Sequence, residues 1–430
     1  MEQYMNLVNG HIVGPQQGRK RLEELEQLLL EARQAPTCTL DMVVQACDAL
    51  SQRLNEGQHL PLLVQSGMPL QQAKQELTLA KQMLSAAYLQ RKIHREFCDP
   101  AVMEFTPLGG QRKVRQERRP LGVLLHIAAG NLQALPAFSV IEGLLAGNIN
   151  VLKLPGEGDA LSLEILRGLS ALEPRLSPFI FAFTISSKEE AAMERMARLA
   201  DGIAIWGSDA AVQAVRRLAP PNVRIIEWGH KISFAYVGKG YTRQSLQDIA
   251  RHICHTNQLL CSACQGLYID TNDFAEAVGF AKMFAEVLQQ AAAEDPFPED
   301  PFLTAKKTLE IYTEELESAK GQKRVFRAHG CSVIAYPDSK LEPAYQMRNC
   351  WVKPLPREKI LQTLTPHKGH LQTVALLCGE AERDPLFEIF KRTGAVRVTD
   401  AGHMSCEYSE MPHDGRFPLR EYSRYISSEF

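Results

Sequence analysis

After Pro120 the chain alternates between short runs of almost unbroken apolar residues and longer stretches of helical period. LGVLLHI (121–127), INVLKL (149–154), FIFAFTI (179–185), GIAIW (202–206) and VRIIEW (223–228) are continuous rather than alternating in polarity, as strands buried on both faces are. Between them ALPAFSVIEGLLAG, ALSLEILRGLSAL, KEEAAMERMARLA and SDAAVQAVRRLA carry apolar residues three and four apart, the spacing of an amphipathic helix. Strands that alternate with helices predict a parallel sheet in an α/β domain. A second alternation follows: ISFAYV, a helix around 242–253, GLYID, a long helix from about 273 to 292, then CSVIAYP, WVKPLP and QTVALLC. The first third reads differently. RLEELEQLLLEA (21–32), DMVVQACDAL (41–50) and the run 71–93 are all of helical period, so a helical N-terminal region precedes the sheets.

A chain of 430 residues has room for two domains, each with its own core. With 45% hydrophobic and 23% charged residues it has the composition of a soluble globular protein. A net charge of -2, with no basic arm, gives no reason to expect nucleic acid. No run approaches the roughly 18 apolar residues of a membrane span, and MEQYMNLVNG is unlike a signal peptide. A cytoplasmic protein is expected. Its ten cysteines, scattered from Cys38 to Cys406, are then thiols rather than a disulfide framework.

A parallel sheet of this kind binds ligands at the carboxyl ends of its strands. The dinucleotide fingerprint G-x-G-x-x-G is absent; Gly156-Glu157-Gly158 lacks the third glycine. The chemistry-bearing residues cluster instead in NQLLCSACQG (257–266), where Cys261 and Cys264 follow His252, Cys254 and His255. An acyl-accepting nucleophile, a tetrahedral zinc site and ordinary buried thiols all fit that stretch taken alone. The two histidines fall on a predicted helix and no second C-x-x-C occurs, which disfavours a metal.

The order of motifs is more informative than any one of them. PLGVLLHIAAGN (120–131), LLAGNINVLKLP (144–155), IAIWGS (203–208), IIEWGHK (225–231) and NQLLC (257–261) follow one another. This succession resembles the aldehyde dehydrogenase superfamily. With (D/N)-Q-x-x before the cysteine and HLQTVAL at 370–376, it is most similar to the LuxC-type long-chain acyl-CoA reductases. The resemblance spans roughly residues 118–430. It implies an aldehyde-dehydrogenase-like α/β fold: a Rossmann-type parallel-sheet cofactor domain over 1–227, helical N-terminal region included, and an α/β catalytic domain over 228–430 with a C-terminal return segment.

The resemblance also assigns roles. Cys261 is the nucleophile, and Asn131 supplies a side-chain amide to the oxyanion, although it could equally cap the helix that follows. Glu227 matches the general base of the hydrolytic members, or else pairs with Lys231 or an arginine. Lys153, Gly207 and Ser208 face the cofactor. Two departures stand out: Gln133 replaces the proline two residues after the asparagine, and WVKPLP (351–356) lacks the glutamate that holds the nicotinamide ribose. Where NAD-preferring members place a glutamate three residues after the strand lysine, this chain has Gly156, so NADPH is expected. The implied reaction reduces an acyl thioester, on CoA or on a protein, to an aldehyde. A hydrolytic aldehyde dehydrogenase and a non-catalytic acyl-transfer scaffold are the alternatives. A homo-oligomer and an acyl-transferring partner protein complete the expectation, with no metal. His413, in PHDGRFPL, is either a substrate-side residue or a turn residue before Asp414-Gly415.

Overall fold

The apolar runs form strands at the centre of two sheets. The structure, a computed structural model, describes residues 5–128, 134–155, 159–295, 301–319, 321, 323–406 and 408–429. Contacts divide it into two units, Met1–Gly229 with Tyr408–Phe430, and His230–Glu407.

The first unit begins with a hairpin, β1 (Asn6–Val8) and β2 (His11–Val13), turned by Asn9 and Gly10, both at positive φ. The next strands are β3 (Val102–Phe105), β4 (Val114–Pro120), β5 (Val123–Ile127), β6 (Ile149–Leu154), β7 (Ile180–Thr184), β8 (Gly202–Trp206) and β9 (Arg224–Trp228). Its seven-stranded sheet runs β2-β1-β7-β6-β5-β8-β9. Strands β5 to β9 are mutually parallel, while the hairpin adds antiparallel to β7. The amphipathic helices of the first third bury one face each. Val43, Val44, Cys47 and Leu50 of Leu40–Arg53, with Ala73, Leu77, Ala80 and Leu84 of Leu70–Leu84, join the core that covers β5–β7. The helical run 71–93 is broken at Ser85, whose hydroxyl caps the next helix by accepting from the Tyr88 N–H at 3.3 Å.

The second unit comprises β10 (Ile232–Val237), β11 (Cys264–Ile269), β12 (Arg324–Ala328), β13 (Cys331–Ala335), β14 (Asn349–Pro354), β15 (Leu371–Leu377) and β16 (Arg397–Thr399). The order is β12-β13-β14-β11-β10-β15-β16, parallel except for the edge strand β12. Side chains alternate between two separate cores: Ala235 and Val237 pack with Ile249, Ile253 and Phe284, whereas Phe234 and Tyr236 pack with Tyr268, Trp351 and Phe390. The strands inside the two edges are thus covered on both faces, which is why their sequences are not alternating.

The contacts divide the chain after Gly229 and again after Glu407. The C-terminal segment β17 (Ser423–Ser428) pairs with β4 over six residues and belongs to the first unit. With β3 it makes a three-stranded antiparallel sheet. No helix among the described residues is long and apolar enough to cross a membrane.

Candidate active site

In the second unit the helix Arg243–Thr256 ends at Asn257, which lies in the left-handed region at φ 46°, and Gln258 follows at φ 61°. Two consecutive left-handed residues other than glycine cost roughly 1–2 kcal/mol each, so the surroundings must impose the turn. Arg348 does much of this. Its buried guanidinium donates to Asn257 Oδ1 at 2.9 Å, to the Cys254 carbonyl at 3.3 Å and to the Asp295 carbonyl at 2.6 Å. The Met347 N–H donates to the Asn257 carbonyl at 2.9 Å. Gln346, Met347 and Arg348 are themselves all at positive φ, so two strained segments brace one another. The Gln258 amide is buried and donates to the carbonyls of Cys264 and Gln265 at 3.1 and 3.2 Å.

The loop so held carries Cys261, an exposed thiol three residues ahead of β11. Two hydrogen bonds tie it to neighbouring strands. Its Sγ accepts from Gln372 Nε2 at 3.2 Å, and its carbonyl accepts from Ser233 Oγ at 2.7 Å. The register of β10 shifts around Ser233 against both β11 and β15. At that irregularity the Ser233 hydroxyl accepts the Thr373 N–H at 3.0 Å and passes its own proton to the cysteine loop. Consecutive residues of β15 thus address the sulfur and, through Ser233, the main chain of one cysteine.

The other cysteines of the cluster are of a different kind. Cys254 and Cys264 are fully buried, and burial pushes both thiols up to about 12. They are protonated packing groups at neutral pH. Cys264 Sγ donates to the Gly266 carbonyl at 3.3 Å. His252 turns beneath the loop, where its Nε2 accepts the Cys264 N–H at 3.2 Å, and burial lowers its pKa to about 4. It is a neutral staple for the strand start. Among the described residues no group of three or more histidines, cysteines and carboxylates could hold a metal.

In the first unit Lys153 is the penultimate residue of β6, largely buried, with its pKa lowered by burial, and no carboxylate among the described residues pairs with it. Ser208 caps the helix Asp209–Leu218, its hydroxyl accepting from the Ala211 N–H at 3.4 Å. The Gly207 N–H donates to the Trp228 carbonyl at 3.3 Å, so it is spent on β9 rather than open to an anion. Glu227, on β9, forms an ion pair with the exposed Arg216, and its carbonyl accepts from Arg416. Trp206 and Trp228 close β8 and β9 with stacked rings 5.4 Å apart, and His413 lies 5.1 Å from each. His413 opens a tight turn in which the Arg416 N–H returns to its carbonyl at 2.9 Å. Asn131 and the stretch Gly156-Glu157-Gly158 lie outside the described residues.

Motif order singles out Cys261 but gives no role to Gln372, Ser233 or Arg348. The available signal was a polar residue at the amino end of an otherwise apolar strand: Gln372 in HLQTVAL and Ser233 in ISFAYV.

Comparison with solved structures shows the fold. An aldehyde dehydrogenase 21 from Physcomitrella patens superposes with a TM-score of 0.74 at 12% identity, covering 99% of this chain and 95% of the other. An NAD-dependent aldehyde dehydrogenase from Sinorhizobium meliloti gives 0.74 at 14% identity, over 99% and 94%. Among curated proteins, the long-chain acyl-protein thioester reductase of Aliivibrio fischeri is 22% identical over 323 residues, covering 72% of this chain and 64% of its own length. The long-chain acyl-protein thioester reductase 2 of Photobacterium leiognathi is 24% identical over 323 residues, again over 72% and 64%. The matched region thus spans just under two thirds of these relatives. The family model for acyl-CoA reductase (LuxC) matches residues 34–425, nearly the whole chain, and the protein therefore belongs to the acyl-CoA reductase (LuxC) family.

Proposed function

We propose that the chain reduces an acyl thioester, carried on CoA or on a protein, to an aldehyde through an acyl group held on Cys261, with NADPH as reductant. The observation that carries this reading is the contrast within one cluster: Cys261 is exposed and hydrogen-bonded at sulfur, while Cys254 and Cys264 are buried and protonated.

The Cys261 thiolate attacks the thioester carbonyl, a new C–S bond forms, and the donor's thiolate leaves with the original bond's electrons. Thioester exchange is nearly isoenergetic, so the acyl-enzyme accumulates until it is reduced. A nicotinamide cofactor, its phosphate held at Lys153, would supply the hydride that the acyl carbon requires. Cys261 sulfur then takes back the C–S electron pair as the reduced carbon leaves as aldehyde. Negative charge builds on oxygen at both stages and needs fixed donors, a role the family resemblance gives to Asn131.

The first unit fits a phosphate-bearing cofactor at Lys153. An ammonium group that is buried and unpaired among the described residues gains from a bound anion. Gly156 stands where NAD-preferring members of the superfamily carry a carboxylate, which supports NADPH. Hydrolysis, the competing reading, requires Glu227 to activate water. Its Oε1 is engaged by Arg216, which favours reduction. Ten free cysteines suit a reducing cytosol, and the resemblance extends the proposal to a homo-oligomer supplied by an acyl-transferring protein.

The test is product analysis with a fatty acyl-CoA. Aldehyde should form in step with NADPH oxidation and faster than with NADH. Free acid released at the same rate with or without reductant would instead identify a hydrolase.

A further inference from the structure

Gln372 has no assigned role, yet its side chain reaches the reacting atom. It sits second in β15, a strand flanked on both sides by parallel neighbours. Its side chain is buried, and its carbonyl accepts the Val396 N–H at 3.2 Å. The next residue, Thr373, is bound through its N–H to Ser233, and Ser233 is bound to the Cys261 carbonyl. The cysteine main chain and the glutamine backbone are therefore fixed in one frame. Within it the Gln372 Nε2 lies 3.2 Å from Cys261 Sγ.

A carboxamide N–H beside sulfur distinguishes the two ionisation states. A thiol is a weak acceptor, whereas a thiolate takes a charge-assisted hydrogen bond of roughly twice the strength. A donor bonded preferentially to the charged form draws the ionisation equilibrium toward it. The amide carries no charge, so it does this without leaving a counter-ion that would have to be separated when the sulfur acylates and becomes neutral.

We propose that Gln372 is a catalytic residue that stabilises the Cys261 thiolate by donating its side-chain N–H to the sulfur, in a geometry fixed by the Ser233 bridge. The proposal rests on Cys261 being the acyl acceptor, and it deepens that reading by naming what ionises it.

The experiment measures iodoacetamide alkylation of the Cys261-bearing peptide against pH, in wild type, Gln372→Met and Gln372→Glu. The exposed Cys98 serves as internal reference. Methionine keeps the length of glutamine without its N–H, and glutamate keeps its shape but presents a carboxylate. Among the described residues the ionisable groups on the elements around the loop include His252 and His255 on the preceding helix, Arg348 beside it, His370 ahead of β15, Arg397 on β16, and the paired His403 and Asp400 of the turn whose Ser405 bonds Ser262. All remain in place, so the difference between profiles reports position 372.

Gln372→Met should move the alkylation midpoint upward by about one pH unit, lowering the rate at pH 7 roughly tenfold, and Gln372→Glu should move it further. Cys98 should be unaffected. Profiles that coincide with wild type in either folded variant would overturn the proposal, and the glutamate variant serves if the methionine variant does not fold. The acyl-acceptor reading fails separately. If wild type takes no acyl group from acyl-CoA while the alkylation midpoints still shift in the stated order, Gln372 acts on the thiol but Cys261 is not the acceptor.

Discussion

The two parallel sheets carry their proposed site residues at opposite ends. In the first unit Lys153, Gly207 and Glu227 stand at or just beyond the carboxyl ends of β6, β8 and β9. In the second, Ser233, Cys261 and Gln372 gather at the amino ends of β10, β11 and β15. The general rule for open α/β sheets places ligands outside the carboxyl ends, and Lys153, proposed for the cofactor, lies at such an end. The second unit departs from it, and its architecture shows what the departure requires. At the amino end of a strand there is no strand-to-helix turn to cradle a ligand, so the reactive group arrives on a loop behind a helix. That loop is held by side chains: Arg348 at the helix end, His252 beneath, and Ser233 and Gln372 from neighbouring strands.

Removing those supports should affect the second unit far more than the first. The largest effect is expected for Arg348→Ala, which strips hydrogen bonds from Asn257, Cys254 and Asp295 and leaves the left-handed turn unsupported. A loss on the order of 2–4 kcal/mol is expected when several acceptors lose a charged donor and are left unpaired. Hydrogen exchange should localise the loosening to the end of the helix Arg243–Thr256 and the cysteine loop, with β5 to β9 unchanged. Uniform loosening of both units would blur the contrast.

Acid should act on both units alike, each histidine costing about 2 kcal/mol by pH 5. His126 in the first and His252 in the second are buried, and burial lowers each to about 4. Between about 6.5 and 4 the unfolded chain binds protons that the folded chain does not. These two groups therefore leave stability intact above about 6.5 and erode it as pH falls toward 4, at about 1.4 kcal/mol per unit for each group. Glu96 and Asp159, raised by burial, pull the other way at the acid end, so the contribution is read by difference. Urea unfolding from pH 7 to pH 5 should show a shallower loss in His126→Asn and in His252→Asn than in wild type. Parallel pH dependences in wild type and both variants would remove this account of the two histidines.

The same division governs how much of the molecule could be read from sequence. Strands β5 to β11, and β13 to β15, announce themselves because burial on both faces writes continuous apolar runs. Strand β4, VRQERRP, does not: it is polar along most of its length and becomes a strand through pairing with β17, some three hundred residues later. The break at Ser85 is invisible to periodicity because a capping serine fits a helical pattern equally well. At the site, motif order points to Cys261. It does not point to Gln372, because what sets that side chain beside the sulfur is the register of β15 against β10 and the irregularity at Ser233. The left-handed run at Gln346, Met347 and Arg348 contains no glycine or asparagine to mark it, so that strain belongs entirely to tertiary structure.

The central claim is that the amino-end loop of the second unit carries the acyl group. Intact-mass measurement after mixing the protein with a fatty acyl-CoA, without NADPH, tests it most directly. The account predicts a rise of one acyl group, mapped to Cys261, absent in Cys261→Ala and retained in Cys264→Ala. An adduct that survives Cys261→Ala, or disappears with Cys264→Ala, would contradict it.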